Sequence, residues 1–256
     1  MRQFINVVAC ILCFAAVSSP ARAAVIPLYD GAAMTTPDAQ GWLYLTSPIF
    51  GPMATQSAAG GVTTLDTTPV IGEMAGYFGN LHPSIPVLDR TTGFTLTFDI
   101  RVSSESHLNS NRAGFSIIAL SQDLQGIELG FWTDEIWAQS GPAFTHAEGR
   151  MFDTASSLTQ YALTILGGGY LLFADGDPIL GGALRDYSSF GTPYTVPSLV
   201  FLGDDTGSAA AEIDLAAIGL RTGDDILVPE PGTLALLGMG LIALAFGRFA
   251  SSIRLA

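Results

Sequence analysis

The strictest alternation of apolar and polar residues in this chain is Phe94-Thr-Leu-Thr-Phe-Asp-Ile-Arg-Val102. Every second side chain from Phe94 to Val102 is apolar, and the residues between them are threonine, aspartate and arginine. Because successive side chains of a strand point to opposite faces of a sheet, the pattern predicts a strand with one face in a core. The first expectation is therefore a protein built from β-strands.

Segments of similar character follow along the chain and are separated by turn sequences such as Gly167-Gly-Gly169. No segment before the C-terminal tail keeps a 3.6-residue apolar period, which argues against helices. Many short strands at regular spacing are typical of a sandwich or jelly roll. Residues 25–90 are expected to add edge strands and long loops. The other predicted strands are 114–120, 127–132, 135–139, 160–166, 170–174, 197–202 and 210–221.

One hairpin carries a resemblance to known folds. Asp175-Gly176 is a strong hairpin signal, because both residues can adopt positive φ. The strand before it, the turn and the closing strand at 211–221 resemble, in this order, the concanavalin A-like and laminin-G-like jelly rolls. The resemblance covers about residues 40–223 and implies an all-β, jelly-roll β-sandwich. Segments 111–115, 126–132 and 201–205 also resemble bacterial surface domains of the choice-of-anchor type, which imply no known activity.

The C-terminal tail has a different character. It contains Val228, Pro229, Glu230 and Pro231, then an uncharged apolar run, and at its end the basic residues Arg248 and Arg254. The run spans roughly 21 Å as a helix, less than the roughly 30 Å of a bilayer core, so it predicts a marginal transmembrane helix. Both arginines would stay on the cytoplasmic side.

The order of features in residues 227–256 resembles the PEP-CTERM sorting signal. That resemblance implies an exosortase as partner, a transient anchor in the inner membrane, and C-terminal processing at the envelope. The basic cluster is sparser than in the family pattern. An ordinary tail anchor and a buried C-terminal helix are the alternatives.

The N-terminus indicates export. Arg2 precedes an apolar stretch over residues 4–17, and Ala21-Arg22-Ala23 follows as a cleavage sequence, which together predict a signal peptide at residues 1–23. Cys10 and Cys13 both lie within it, so the mature chain would have neither a thiol nor a disulfide. The chain then divides into the signal peptide, a β-sandwich passenger at 24–226, and the sorting signal at 227–256.

Charge narrows the choice of partners. Residues 24–230 contain six arginines, no lysine and all 23 acidic residues, which give a net charge of −17. Nucleic acid is excluded as a partner, because its binding depends on basic side chains. An acidic surface suits a protein of the cell envelope or extracellular matrix.

A candidate glycan-binding face comprises Glu128, Trp132, Trp137 and Gln139. If Asp134-Glu135 is a two-residue turn, Trp132 pairs with Trp137 and these four side chains share one face. Indole rings can stack on sugar rings, while glutamate and glutamine bind hydroxyl groups. The alternative is that both tryptophans belong to the core and the polar groups form its rim.

A hydrolase is the competing class of function. Glu212-Ile-Asp214 resembles the start of the E-x-D-x-x-E signature of laminarinase-like jelly rolls, but the third acid is absent. Retaining hydrolysis needs two carboxylates, one of which acts as a general acid. The sequence therefore predicts no enzyme, and it places Glu212 and Asp214 on the solvent side of an edge or outer strand.

Cofactors have little support in the sequence. Asp204 and Asp205 lie in a short acidic turn that offers oxygen ligands to Ca²⁺, although turn aspartates more often bond their own backbone. His82, His107 and His146 are far apart, without the spacing of a zinc site. We expect no cofactor, and calcium is the one weak candidate.

Taken together, these features predict an exported, exosortase-processed surface or matrix protein that is not an enzyme and that binds exopolysaccharide. A jelly-roll glycoside hydrolase and a purely structural surface protein without a ligand are the alternatives.

Overall fold

The computed structural model describes residues 25–47 and 53–223; the signal peptide and the sorting tail lie outside them. Two antiparallel sheets of eight strands each form a β-sandwich. The strands are β1 (Ile26–Asp30), β2 (Leu43–Thr46), β3 (Thr55–Ala59), β4 (Val62–Asp66), β5 (Ala75–Phe78), β6 (Phe94–His107), β7 (Ser116–Leu120), β8 (Gln125–Phe131), β9 (Glu135–Gln139), β10 (His146–Met151), β11 (Thr159–Leu166), β12 (Gly169–Ala174), β13 (Asp177–Ala183), β14 (Arg185–Asp186), β15 (Val200–Asp204) and β16 (Ala209–Thr222).

The two sheets differ in which strands they take. Sheet A follows the spatial order β13-β12-β11-β6-β16-β4-β3, with β1 also paired to β16. Sheet B follows the order β10-β9-β8-β7-β15-β5-β2, with β14 paired to β8. Strands distant in sequence are neighbours in both sheets, and the predicted all-β jelly-roll sandwich is confirmed.

The stretch from Phe94 to Val102 forms most of β6, in the middle of sheet A. Its five alternating apolar side chains are each at most 1% exposed, so the predicted core face is confirmed. Strand β6 pairs along its whole length with β16, which is therefore an interior strand. The expectation that Glu212 and Asp214 lie on an edge or outer strand is wrong.

The hairpin at Asp175-Gly176 also forms as predicted. Both residues have positive φ, 50° and 91° respectively, and they connect β12 to β13. Asp175 tolerates this conformation and Gly176 adopts it without a steric cost, which matches the twist of the two strands.

The core between the sheets is aromatic and aliphatic. Phe98 stacks on Tyr161 at 5.4 Å between ring centroids, and Phe131 meets Tyr161 edge-on at 5.5 Å. A second, smaller apolar cluster lies on the outer face of sheet B and comprises Ile118, Leu120, Tyr187, Tyr194, Leu199 and Phe201. Sheet B is thus covered on both faces.

Helical structure in the described residues consists of short 3₁₀ turns at Gly31–Ala33, Pro37–Gln40 and Ser188–Phe190. Across residues 25–47 and 53–223, no helix has the length and apolar character needed to cross a membrane.

Candidate functional site

The four predicted glycan-binding residues do lie on one face, the outer face of sheet B. Their pairing differs from the prediction: Trp137 lies opposite Gly130, not opposite Trp132. The turn falls at Thr133-Asp134, where the amide of Trp132 donates to the carbonyl of Glu135 at 2.8 Å. The predicted Trp132–Trp137 pair is therefore wrong, while the shared face is correct.

Glycine explains the observed register. A Cβ atom at Gly130 would lie 2.8 Å from the Trp137 ring, so the indole occupies the space that a side chain would fill. The partner of Trp137 is thus Gly130 instead of Trp132, two residues away, and Trp137 stays on the same face because side chains alternate with a period of two.

The two tryptophans do not form an open platform. Trp137 is 1% exposed, and the ring of His146 stacks on it at 4.4 Å and 13°. His107 stacks on Trp132 at 4.2 Å and 12°, and Trp132 remains partly exposed. The imidazoles of His107 and His146 thus occupy the indole faces that would otherwise stack on sugar rings. Nothing in the sequence near His107 or His146 indicates this contact, because it depends on pairing between distant strands.

A segment that the sequence analysis missed covers the rest of this face. We call residues 187–196, which connect β14 toward β15, the strap. Its Tyr187 hydroxyl donates to the carbonyl of Gln139 at 2.7 Å, and its Tyr194 packs in the outer apolar cluster. Glu128 and Gln139 are only 3% and 1% exposed beneath it.

Two carboxyl groups meet at Tyr194. Its hydroxyl oxygen lies 2.6 Å from Oε2 of Glu128 and 3.1 Å from Oδ2 of Asp205. Burial raises the pKa of Glu128 well above its ordinary value, and the charge of Asp205 raises it further. Burial also raises the pKa of Asp205. Neither carboxyl takes part in an ion pair with the described residues.

Arg112, the basic side chain whose charge acts on both carboxyls, makes its hydrogen bonds elsewhere. Nη1 of Arg112 donates to the carbonyls of Asn111 and Phe144, at 2.6 and 2.9 Å, and its guanidinium lies 4.6 Å from the centre of the Phe144 ring. Arg112 still lowers the pKa of both carboxyls through its charge, but by less than burial raises them.

A groove runs along the strap and consists of two adjoining cavities. The larger, about 470 Å³, lies between the strap and β2 and has an apolar lining that includes Leu43, Leu45 and Phe78. The smaller, about 320 Å³, lies on the other side and is lined by Arg112, Phe144, Phe190 and Tyr194, among others. Thr192, Pro193 and Asp205 line both. The accessible part of this face is therefore the groove rather than the tryptophan pair.

The weak calcium candidates do not converge. Asp204 lies at the end of β15 and points between the sheets, where its Oδ2 accepts from the Thr67 hydroxyl at 2.8 Å. Asp205 contacts Tyr194 on the outer face. Consecutive residues of an extended backbone point to opposite faces, which separates the two carboxyls. Residues 25–47 and 53–223 contain no group of three metal-ligating side chains.

The acids considered for hydrolysis lie on two different sheets. Asp214 binds Arg101 at 2.5 Å and the hydroxyl of Thr64 at 2.8 Å, on the outer side of sheet A. Glu128 lies on the outer side of sheet B, across the core from Glu212. Glu128 and Glu212 therefore cannot flank one glycosidic bond, because retaining and inverting mechanisms both need a pair within about 10 Å on one substrate.

Comparison with known proteins identifies the tail. Residues 227–248 match the PEP-CTERM protein-sorting motif, which confirms the predicted sorting signal and includes Val228, Pro229, Glu230, Pro231 and Arg248. The motif implies export and processing by an exosortase at the cell surface. The predicted signal peptide and transmembrane helix lie outside the described residues and stay predictions. A search of curated protein sequences found no match to the chain.

Solved structures resemble the sandwich. The chain is similar to a conserved carbohydrate esterase from the Shiga toxin-encoding bacteriophage phi24B, with a TM-score of 0.53 at 13% identity, over 78% of this chain and 100% of that one. It is also similar to a protein of unknown function with a galectin-like fold from Bacillus subtilis (TM-score 0.48, 10% identity, 77% and 96% covered). The carbohydrate recognition domain of Emp46p matches at a TM-score of 0.46 and 11% identity, with 79% and 97% covered. Identities this low concern the fold alone.

Proposed function

We propose that this exported, exosortase-processed protein acts at the cell surface or in the extracellular matrix, where its sandwich binds a neutral exopolysaccharide without enzymatic activity. The observation that carries the proposal is the groove beside the strap. Its larger cavity combines an apolar lining with a few polar groups, among them Asn80, Thr192 and Asp205. This composition is typical of small-molecule and saccharide sites.

The acidic character of the domain favours a neutral ligand. The larger cavity is lined by no basic residue, and residues 24–230 carry a net charge of −17. A polyanion would meet repulsion over the whole surface. Hydroxyl groups of a neutral sugar could instead donate to the carboxylate of Asp205, while the sugar ring packs on the apolar lining.

The absence of enzymatic activity is part of the proposal. Glu128 is the acid on this face whose pKa is raised most strongly, but it is 3% exposed beneath the strap and contacts Tyr194 rather than a cavity. A hydrolase would require it to reach a substrate. The competing enzyme hypothesis predicts activity on β-glucans that disappears in Glu128→Gln or Glu212→Gln.

A glycan array tests the proposal. Leu45 is 48% exposed at the groove, so Leu45→Arg should fill the apolar side and weaken polysaccharide binding by about tenfold or more without unfolding the protein. Leu158→Arg is the matched control, because Leu158 is 46% exposed, precedes β11 of sheet A, and is absent from the groove.

Binding that is equal in Leu45→Arg and Leu158→Arg would place the ligand elsewhere. No binding by the wild-type protein to any glycan would favour the purely structural alternative, in which the protein contributes to matrix architecture without a ligand.

A further inference from the structure

The single hydrogen of the Tyr194 hydroxyl sets a condition on the two carboxyls beside it. A phenol can donate to one acceptor, yet its oxygen lies within hydrogen-bond distance of both Glu128 and Asp205. Both contacts are hydrogen bonds only if one carboxyl holds a proton and donates it. The closed arrangement is therefore fully hydrogen-bonded only when it contains one proton in addition to that of the phenol.

The strap depends on this arrangement because, beyond Ser188, its backbone is not bonded to sheet B. In the described part of the chain, the backbone–backbone hydrogen bonds of residues 188–196 are internal: Phe190 donates to Tyr187, Gly191 to Ser188, and Val196 to Pro193. The amide of Ser188 also donates to Oδ1 of Asp186 in β14, at 2.8 Å. The other polar contacts of the strap with sheet B come from the hydroxyls of Tyr187 and Tyr194. A segment held by side chains alone can open locally without unfolding the sheets.

The other charged groups around the pair do not compensate a second negative charge. Tyr187 and Tyr194 face it from the strap, and burial raises the pKa of both phenols. Arg112 is occupied by backbone carbonyls, and Arg185, in β14 before the strap, binds Glu148. Asp204 precedes Asp205 and adds negative charge when it ionises.

We propose that the strap is held closed by one proton shared between Glu128 and Asp205, and that it opens over Glu128 and Gln139 when this proton is lost. Two ionised carboxylates on one buried phenol repel each other and need water, which reaches them only if the strap lifts. Closure also leaves Nε2 of Gln139 buried without a partner among the described residues, which lowers the cost of opening.

The strap would then act as a gate over the face beside the groove, whether or not the groove binds a glycan. Rising pH should expose polar groups of β8 and β9 that are otherwise inaccessible. The ligand chemistry of the newly exposed face would be that of a hydroxyl-rich molecule, since it presents a carboxylate and an amide.

Hydrogen exchange of the full-length protein in a non-ionic detergent tests the gate. Exchange of peptides covering residues 187–196 is measured near pH 5 and near pH 8.5 and corrected for intrinsic rates. A proton-linked opening equilibrium changes by up to about tenfold per pH unit, so protection of the strap should fall by about tenfold or more. Protection of β6, which is lost only through global unfolding, should exceed that of the strap at both values.

Three variants decide the outcome. Glu128→Gln keeps the shape without the titrating proton, and its strap should stay protected at both pH values. Glu212→Gln makes the same change on the outer face of sheet A and should respond as the wild type does. Tyr194→Phe removes the bridge and should lower protection already at acidic pH.

Equal protection of the wild-type strap at both pH values would overturn the proposal. It would fail equally if Glu128→Gln kept the wild-type pH response, or if Tyr194→Phe were as protected as the wild type under acidic conditions.

Discussion

Asp204 should make this protein less stable as pH rises, and Asp204→Asn should remove much of that loss. The side chain is 2% exposed between the sheets, where it accepts hydrogen bonds from the backbone amide of Thr206 at 3.0 Å and from the hydroxyl of Thr67 at 2.8 Å. It forms no ion pair with the described residues. Burial outweighs both hydrogen bonds and raises its pKa to about 8.

The direction and size of the change in stability with pH follow from that pKa. In the unfolded chain the carboxyl titrates near 3.8, so at intermediate pH the folded chain retains a proton that the unfolded chain has released. Stability contributed by a group with a raised pKa is fully present below the unfolded value and is lost as pH rises toward the folded value. The loss is about 1.4 kcal/mol per pH unit, or about 3 kcal/mol between pH 5 and pH 7.

The variant should remove this dependence without a large structural cost. Asparagine is neutral at every pH; its oxygen can accept from Thr206, and its amide can donate to Thr67, whose hydroxyl already lies 3.3 Å from the carbonyl of Ala211. At pH 7 the variant should therefore be more stable than the wild type, by an amount on the order of 4 kcal/mol, since the loss of about 1.4 kcal/mol per pH unit begins at the unfolded pKa of 3.8. Urea denaturation followed by tryptophan fluorescence at several pH values measures the free energy of unfolding directly.

Asp177→Asn is the matched control, because Asp177 begins β13 in an exposed turn. It should keep the wild-type dependence of stability on pH. A wild-type protein equally stable at pH 5 and pH 7, or an Asp204→Asn variant with an unchanged slope, would show that Asp204 ionises freely in the folded state and would refute the reasoning.

Two further predictions concern a turn and the tail. Gly176→Ala should lower the free energy of unfolding, measured by urea denaturation, by about 1 kcal/mol; φ is 91° there and no atom lies within 4 Å of the added Cβ, so the cost is backbone strain alone. Gly168→Ala is equally open but has no positive φ, so it should be neutral or slightly stabilising. Equal losses in both variants would contradict this. Mass spectrometry of the protein from the cell surface should find a C-terminus within residues 229–232, and a retained Ala256 would argue against exosortase processing.

The β-architecture could be predicted because its signals are local. Alternation along residues 94–102 determines which side chains enter the core, and the Asp175-Gly176 turn determines a hairpin from two adjacent residues. The common face of Glu128, Trp132, Trp137 and Gln139 was also predictable, although the pairing was not. A register error of two residues preserves the face, so alternation alone was sufficient.

The arrangement on that face could not be predicted, because long-range contacts create it. Tyr194 reaches Glu128 across 66 residues of sequence, and no local pattern indicates that a segment between β14 and β15 will cover the outer side of sheet B. The same applies to His107 and His146, whose rings occupy the tryptophan faces. Composition indicated an acidic domain without indicating which acids would be buried.

The pH responses of Asp204 and Asp205 can be separated by experiment, because the two residues are consecutive but face opposite sides of sheet B. Ionising Asp204 places a charge between the sheets, so the penalty should appear in global unfolding. Ionising the pair of Glu128 and Asp205 places a charge under the strap, so it should appear first in local exchange of residues 187–196. The two carboxyls also repel each other, since the charge of Asp205 raises the pKa of Asp204. Opening the strap hydrates Asp205 and weakens that repulsion. Glu128→Gln should therefore change only slightly the pH dependence of global stability that Asp204 causes. Asp204→Asn should leave the opening of the strap dependent on pH.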